Sequence, residues 1–350
     1  MTRVRGGAYN WAMRRAVVLA MMLAAVAAPA SADPIVLQTG TAPVVNISLR
    51  SGSITIKTWN RDAVQVEAPA GVSAEHLDAG VVGRRIPHQY PAWSQTIQTA
   101  RGNASLPAEV WVLPQLSAGA HDAVVVRGDG DAVVTVPSGT AFLLARAFGR
   151  SGIDLGDYRN GAFFLTTRGG AVSLRDVSGT GFVQTVRGRI VAADSSFDRL
   201  RARNAIGDIF FSNCASQQIE VTSVFGSIVY DDGTFSPGLA RFESTAGDVA
   251  IGVGGGAQIG AHTGTGTVQT EFAGRASVSG RGGDARASVG GGGPAVTASS
   301  GSGTILLYDG TLRDHAGLAR RAPGLRAIFG KPAFRKPPTI RRGARPLRRV

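Results

Sequence analysis

Glycine recurs along this chain at a near-constant interval, and an apolar residue usually follows two positions later. The series runs Gly130, Gly149, Gly169, Gly188, Gly207, Gly226, Gly247, Gly266, Gly283 and Gly303. Five of its nine intervals are 19 residues and the rest lie between 17 and 21. Glycine is common here, 48 of 350 residues, so spacing alone is weak evidence. The weight rests on the whole unit, Gly-x-[Ile/Val] followed by an apolar residue. It reads Gly188-Arg189-Ile190-Val191, Gly207-Asp208-Ile209-Phe210 and Gly226-Ser227-Ile228-Val229, then Gly247-Asp248-Val249-Ala250 and Gly303-Thr304-Ile305-Leu306. An earlier copy, Gly52-Ser53-Ile54-Thr55-Ile56, stands outside the regular series. A fixed period near 20 means one supersecondary unit repeated, each copy burying its apolar face on the next.

Many intervals hold a second short strand, such as Phe182-Val183-Gln184-Thr185-Val186 or Gln218-Ile219-Glu220-Val221-Thr222. Alternating apolar and polar residues put one face inward. Two strands and two turns in about 20 residues suit one coil of a β-solenoid and are too short for a βαβ unit. The Leu-x-x-Leu-x-Leu pattern of leucine-rich repeats is missing. Gly128-Asp129-Gly130-Asp131 resembles a fragment of a calcium-binding nonapeptide repeat, but no nine-residue period follows. The expectation is an all-β, single-stranded parallel β-solenoid (β-helix) with coils of about 19–20 residues, right-handed like other parallel crossovers. Ile209, Ile228 and Val249 should stack in one internal column.

The ends differ from the middle. Arg14-Arg15, an apolar run from Ala16 to Ala28 and Ala30-Ser31-Ala32 form a secretory signal pattern over residues 1–32, with the mature chain expected to begin at Asp33. The run is too short to span a membrane. This predicts an exported, periplasmic or cell-surface protein of bacterial type. The formal net charge of +13 is unevenly spread: residues 311–350 carry +11, residues 1–32 carry +4 and the remainder −2. With five prolines, 311–350 reads as a disordered basic tail. Residues 33–310 are left as the folded domain. An exported chain makes nucleic acid an unexpected partner. An anionic lipid surface, an acidic envelope polymer or a protein partner suits the tail better.

Chemistry is sparse. The single cysteine, Cys214, excludes an intrachain disulfide and reads as a small buried residue. His76, His88 and His121 match no short metal-ligand spacing, and no cofactor motif is present. The stretch Ser73–Ala120 interrupts the repeat and reads as a loop or cap. Within it Arg84, Arg85, His88, Tyr90 and Trp93 are the binding candidates, being aromatic and cationic groups on a loop over a rigid scaffold. Asp208, Asp248 and Asp284 each follow a turn glycine. Asp208 and Asp248 would lie two coils apart, roughly 9.6 Å, near the upper separation of an inverting glycosidase pair. Acids in such places also serve local hydrogen bonding.

Asn46 to Trp59, leading into Asp62-Ala63-Val64-Gln65-Val66 and then the Gly-[Asp/Ser]-[Ile/Val] units, resembles the bacterial putative-adhesin family, a β-strand-repeat domain of unknown function. The resemblance covers roughly residues 44–308 apart from 73–120. It implies an exported β-solenoid and brings no catalytic residues with it. The expected function is a non-enzymatic cell-envelope scaffold or adhesin-like interaction protein. The alternative is a carbohydrate-active, polysaccharide-cleaving enzyme on the same fold.

Overall fold

The computed structural model describes residues 33–77, 122–272, 276–280, 282–312 and 314–315, and the backbone of short strands between 89 and 112. Every regular element among them is a β-strand. The N-terminal strands are β1 (Ile35–Gln38), β2 (Val44–Leu49), β3 (Ile54–Trp59), β4 (Ala63–Glu67) and β5 (Val72–Leu77). Then come β6 (Gln89–Pro91), β7 (Gln95–Thr99), β8 (Gly102–Leu106) and β9 (Val110–Val112), which pair only as β6–β9 and β7–β8.

The body follows as β10 (Ala123–Gly128), β11 (Ala132–Pro137), β12 (Phe142–Ala147), β13 (Ile153–Gly156), β14 (Gly161–Thr167), β15 (Val172–Arg175), β16 (Ser178–Arg187) and β17 (Ile190–Ala193). It continues as β18 (Ser196–Ile206), β19 (Ile209–Ser212), β20 (Ala215–Phe225), β21 (Ile228–Phe235), β22 (Ala240–Ala246) and β23 (Val249–Val253). The C-terminal strands are β24 (Ala257–Thr263), β25 (Val268–Glu271), β26 (Ala276–Ser279), β27 (Asp284–Val289), β28 (Ala295–Ser302) and β29 (Ile305–Asp309). Twenty-five strands share one continuous hydrogen-bonded sheet.

From β12 to β21, each strand pairs in parallel with the strand two places on. The even-numbered strands form a longer ladder and the odd-numbered a shorter one, so one strand of each makes a rung. The expected internal column is present: Ile153, Val172, Ile190, Ile209, Ile228 and Val249 are in register and fully buried. Each such side chain contributes about 1.5–3 kcal/mol on leaving water. A second inward column runs Leu155, Leu174, Ala192, Phe211, Tyr230 and Ile251.

The glycines are required by close approach at the turn from the longer to the shorter ladder. A Cβ on Gly207 would lie 2.0 Å from the Gly188 carbonyl oxygen, and one on Gly226 1.9 Å from that of Gly207. Three residues before each glycine sits a buried polar side chain, in the column Thr185, Asn204, Ser223, Ser244. Asn204 Nδ2 donates to Gly188 O at 2.8 Å and Ser244 Oγ to Gly226 O at 3.0 Å. These bonds satisfy carbonyls that the tight turn would otherwise bury unpaired. The opposite turns use left-handed non-glycine residues, Asp157, Asp176, Asp194, Asn213 and Asp232, with φ between 51° and 56°. Short polar side chains tolerate that region best.

A uniformly parallel winding does not extend over the whole sheet, and the sequence expectation is corrected there. At one end β2/β3 lies between β10/β11 and β12/β13, so the early Gly52 unit joins the same column, with Ile54 between Ala132 and Ile153. Antiparallel β5 and β4 then cover β10 and β11, and β1 pairs antiparallel with β4. At the other end β28/β29 inserts between β22/β23 and β24/β25. Antiparallel β27 and β26 close the longer ladder. The unit after Gly283 is therefore not a further rung. Its strand β27 reverses direction, and the spatial order of the apolar column is Val249, Ile305, Val268.

Candidate functional site

The turn acids act locally. Asp131 Oδ1 accepts from Ser53 N at 2.7 Å, Asp208 Oδ1 from Ser227 N at 3.2 Å and Asp248 Oδ1 from Thr304 N at 2.8 Å. Each carboxylate thus caps the same backbone position on the next rung. Those hydrogen bonds hold Asp131 below the usual carboxylate range, against a smaller effect of burial. Asp208 and Asp248 are two rungs apart, as the spacing indicates. Asp284 is not in this column: it begins β27 on the outer face of the longer ladder.

Cys214 is buried, and burial pushes its thiol up to about 12, which removes the thiolate that nucleophilic chemistry needs. His76 is committed to Asp122, with Nε2 to Oδ2 at 3.0 Å. Arg84, Arg85, His88 and Trp93 lie outside the described residues, as does His121. Tyr90 falls in β6, where its backbone is in register with Trp111. Among the described residues, no cluster of three or more His, Cys, Asp or Glu side chains is placed to hold a metal ion.

The groups that do converge lie on the outer face of the longer ladder at its C-terminal end. Strand pairing sets Glu243, Ser299, His262 and Asp284 in one row across β22, β28, β24 and β27. The adjacent row is Arg241, Thr297, Gly260, Arg286 and Ser279. Gly260 leaves the middle of this second row empty, because a Cβ there would meet nothing within 4 Å. The result is an open groove of about 690 Å³ with a glycine floor, walled by Arg241 and Arg286. A second depression of about 430 Å³ extends it past Ser277 and Gln258.

The charges in the groove are mostly paired. Arg241 bonds Glu243 through Nε at 2.7 Å, and His262 Nδ1 lies 2.8 Å from Asp284 Oδ1. Arg286 forms no ion pair with any described residue. The His262 and Asp284 side chains are 65% and 73% exposed, so their attraction is screened by water. Chemically the groove offers guanidinium, carboxylate, imidazole and hydroxyl groups on a rigid open sheet. That set can hydrogen-bond and pair with polar groups, and the open face does not enclose a small apolar molecule.

Sequence reasoning missed this groove. Asp284 follows a turn glycine yet stands outside the column of Asp208 and Asp248, and no local motif marks Arg241, Gly260, His262 or Arg286. They meet only because β28 is threaded between β22 and β24, and β27 runs antiparallel.

No protein-family model and no curated protein matches the chain. One similar solved structure is described as a putative cell adhesion protein from Clostridium sporogenes, at 10% identity and a TM-score of 0.22, over 79% of this chain and 98% of that one.

Proposed function

We propose that this is an exported, non-enzymatic interaction protein of the cell envelope, built on a single-stranded parallel β-solenoid and similar in kind to the bacterial putative-adhesin family. The open outer groove carries this reading. It sits on a sheet face whose backbone is fixed by pairing on both sides, and it runs on into a second depression, which suits an extended polymer lying across rungs. The solenoid comprises the parallel rungs, with the antiparallel strands as its caps. The basic tail adds charge attraction to the same surroundings. The rival reading, a polysaccharide-cleaving enzyme, is favoured by one observation, the His262–Asp284 pair beside Ser299 in the groove row.

The test is co-sedimentation of the full chain with isolated bacterial envelope polymer, comparing wild type with Gly260→Trp. The indole should fill the groove without disturbing the core, since the space above Gly260 is open. We expect at least tenfold weaker retention, about 1.4 kcal/mol. Unchanged retention would remove the groove from the account. Release of new sugar ends during the incubation, lost in His262→Ala, would move the protein to the enzyme class.

A further inference from the structure

Along the glycine turns, the arginines of four consecutive rungs share one edge. The β2–β3 turn holds Arg50, the β12–β13 turn Arg150, the β14–β15 turn Arg168 and the β16–β17 turn Arg189, with Arg187 ending β16 just before that turn. The same four turns contain no acid. Backbone bonds tie them together: Phe148 N to Leu49 O at 3.0 Å, Arg168 N to Ala147 O at 3.1 Å and Arg187 N to Arg168 O at 3.0 Å. Arg50, Arg150, Arg168 and Arg187 are exposed and Arg189 is half-buried. None of the five forms an ion pair with any described residue.

On the outer face of the longer ladder, by contrast, two arginines are paired: Arg201 lies 2.7 Å from Glu220, and Arg241 is tied to Glu243. The ridge also has defined ends. Asp129 and Asp131 occupy the turn before it, and Asp208 the turn after it. Five like charges held by a rigid ladder repel one another unless an anion lies against them.

We propose that this arginine ridge binds a linear acidic polysaccharide, with its carboxylate or sulfate groups held by successive rungs. Three steps of about 4.8 Å make the ridge roughly 15 Å long and one turn wide, which suits a single extended chain better than the plane of a bilayer. Guanidinium groups pair bidentately with carboxylate and sulfate oxygens. These turns contain one aromatic residue, Phe148, between Arg50 and Arg168. A single aromatic does not provide the successive stacking platforms that single-stranded nucleic acid uses. Nor does it provide the apolar face of an interfacial membrane anchor.

The ridge stands apart from the groove, and one experiment separates them. Binding of the full chain to polygalacturonate and to dextran sulfate is measured by calorimetry at low and moderate salt, with neutral dextran as control. Arg168→Glu/Arg187→Glu is compared with Arg159→Glu/Arg175→Glu, which carries the same charge change on the opposite turns, and with Gly260→Trp. The milder Arg168→Gln/Arg187→Gln, with thermal melts of each variant, guards against misfolding. We expect the ridge pair to weaken acidic-glycan binding at least tenfold and to flatten its salt dependence. The opposite-edge pair and Gly260→Trp should change it less than threefold, and neutral dextran should not bind. Equal loss in both charge-reversal pairs would assign the affinity to net charge and the basic tail, overturning the proposal. Tighter binding to a single-stranded oligonucleotide or to anionic vesicles than to either acidic glycan would also overturn it.

Discussion

From Val172 to Tyr230 each rung repeats the one before it: an apolar pair in register, a glycine pressed on a carbonyl, a buried hydroxyl or amide beneath, and a left-handed Asp or Asn at the far turn. The two ends share the apolar column but are closed by unrepeated contacts. At the N-terminal end, Asp122 accepts from Gly40 N at 2.9 Å and pairs with His76. At the C-terminal end, Asp231 accepts from Tyr308 Oη at 3.0 Å and from Leu312 N at 2.7 Å. His315 closes onto Asp309 O at 2.7 Å and Glu271 at 3.0 Å. Repetition stabilises a rung through its neighbours. A terminal rung has only one neighbour, so its exposed edge needs a cap of another kind.

The sharpest break between the two regions is a buried charge in the middle. Ile228 is fully buried between Ile209 and Val249, so Ile228→Asp should cost about 5 kcal/mol or more, since an unpaired ion there has no acceptor of its charge. Ile228→Val should cost about 0.5–1.5 kcal/mol. At the C-terminal edge Val278 is 47% exposed, and Val278→Asp should stay within about 0.5 kcal/mol. Chemical denaturation of the three variants checks the ordering. An Ile228→Asp protein as stable as wild type would mean that this column faces outward.

A smaller contrast comes from glycine. At Gly207 φ is 132° and a Cβ would press on the Gly188 carbonyl, so Gly207→Ala should cost about 3 kcal/mol or more. At Gly282 φ is 64° but the space around it is open, leaving only the left-handed penalty of about 1–2 kcal/mol for Gly282→Ala. If thermal melts show the two variants equally destabilised, close approach is not what fixes the turn glycines.

The same contrast explains which parts were legible in the sequence. The Gly-x-[Ile/Val] unit recurs because each copy meets the same neighbour, so Ile209, Ile228 and Val249 fall in one column on spacing alone. The ends break that rule. Ile54 joins the column through a strand inserted ahead of its turn, and Gly283 fits the period but precedes an antiparallel strand. Pairing between residues 56 positions apart, as for Glu243 and Ser299, leaves no local pattern. The groove was therefore invisible, and so was the edge shared by Arg50 and the later turn arginines.

The two closing contacts should respond to pH in opposite directions. Burial acts to lower the pKa of His315, but hydrogen bonds and charge from Glu271 and Asp309 outweigh it and raise the pKa above 6.5. Its other close neighbour is the Tyr308 ring, centred 5.4 Å away. The raised folded value means that stability from this contact is fully present below the unfolded pKa. It is lost as pH rises through the folded value, above the ordinary imidazole range. For Asp122, burial acts upward, but the bonds from His76 and Gly40 prevail and hold the carboxyl below 3.8. That contribution is present above the unfolded pKa and is lost as pH falls through the folded one. We therefore expect the Leu312 amide, bonded to Asp231 beside His315, to lose hydrogen-exchange protection as pH rises above about 6.5, after correction for intrinsic rates. The Val44 amide, which donates to the Asp122 carbonyl at 2.9 Å, should hold its protection there and lose it only below about pH 4. In His315→Gln the Leu312 amide should be weakly protected at every pH. If its protection instead rose with pH in the wild type, the imidazolium would not be what closes the C-terminal end.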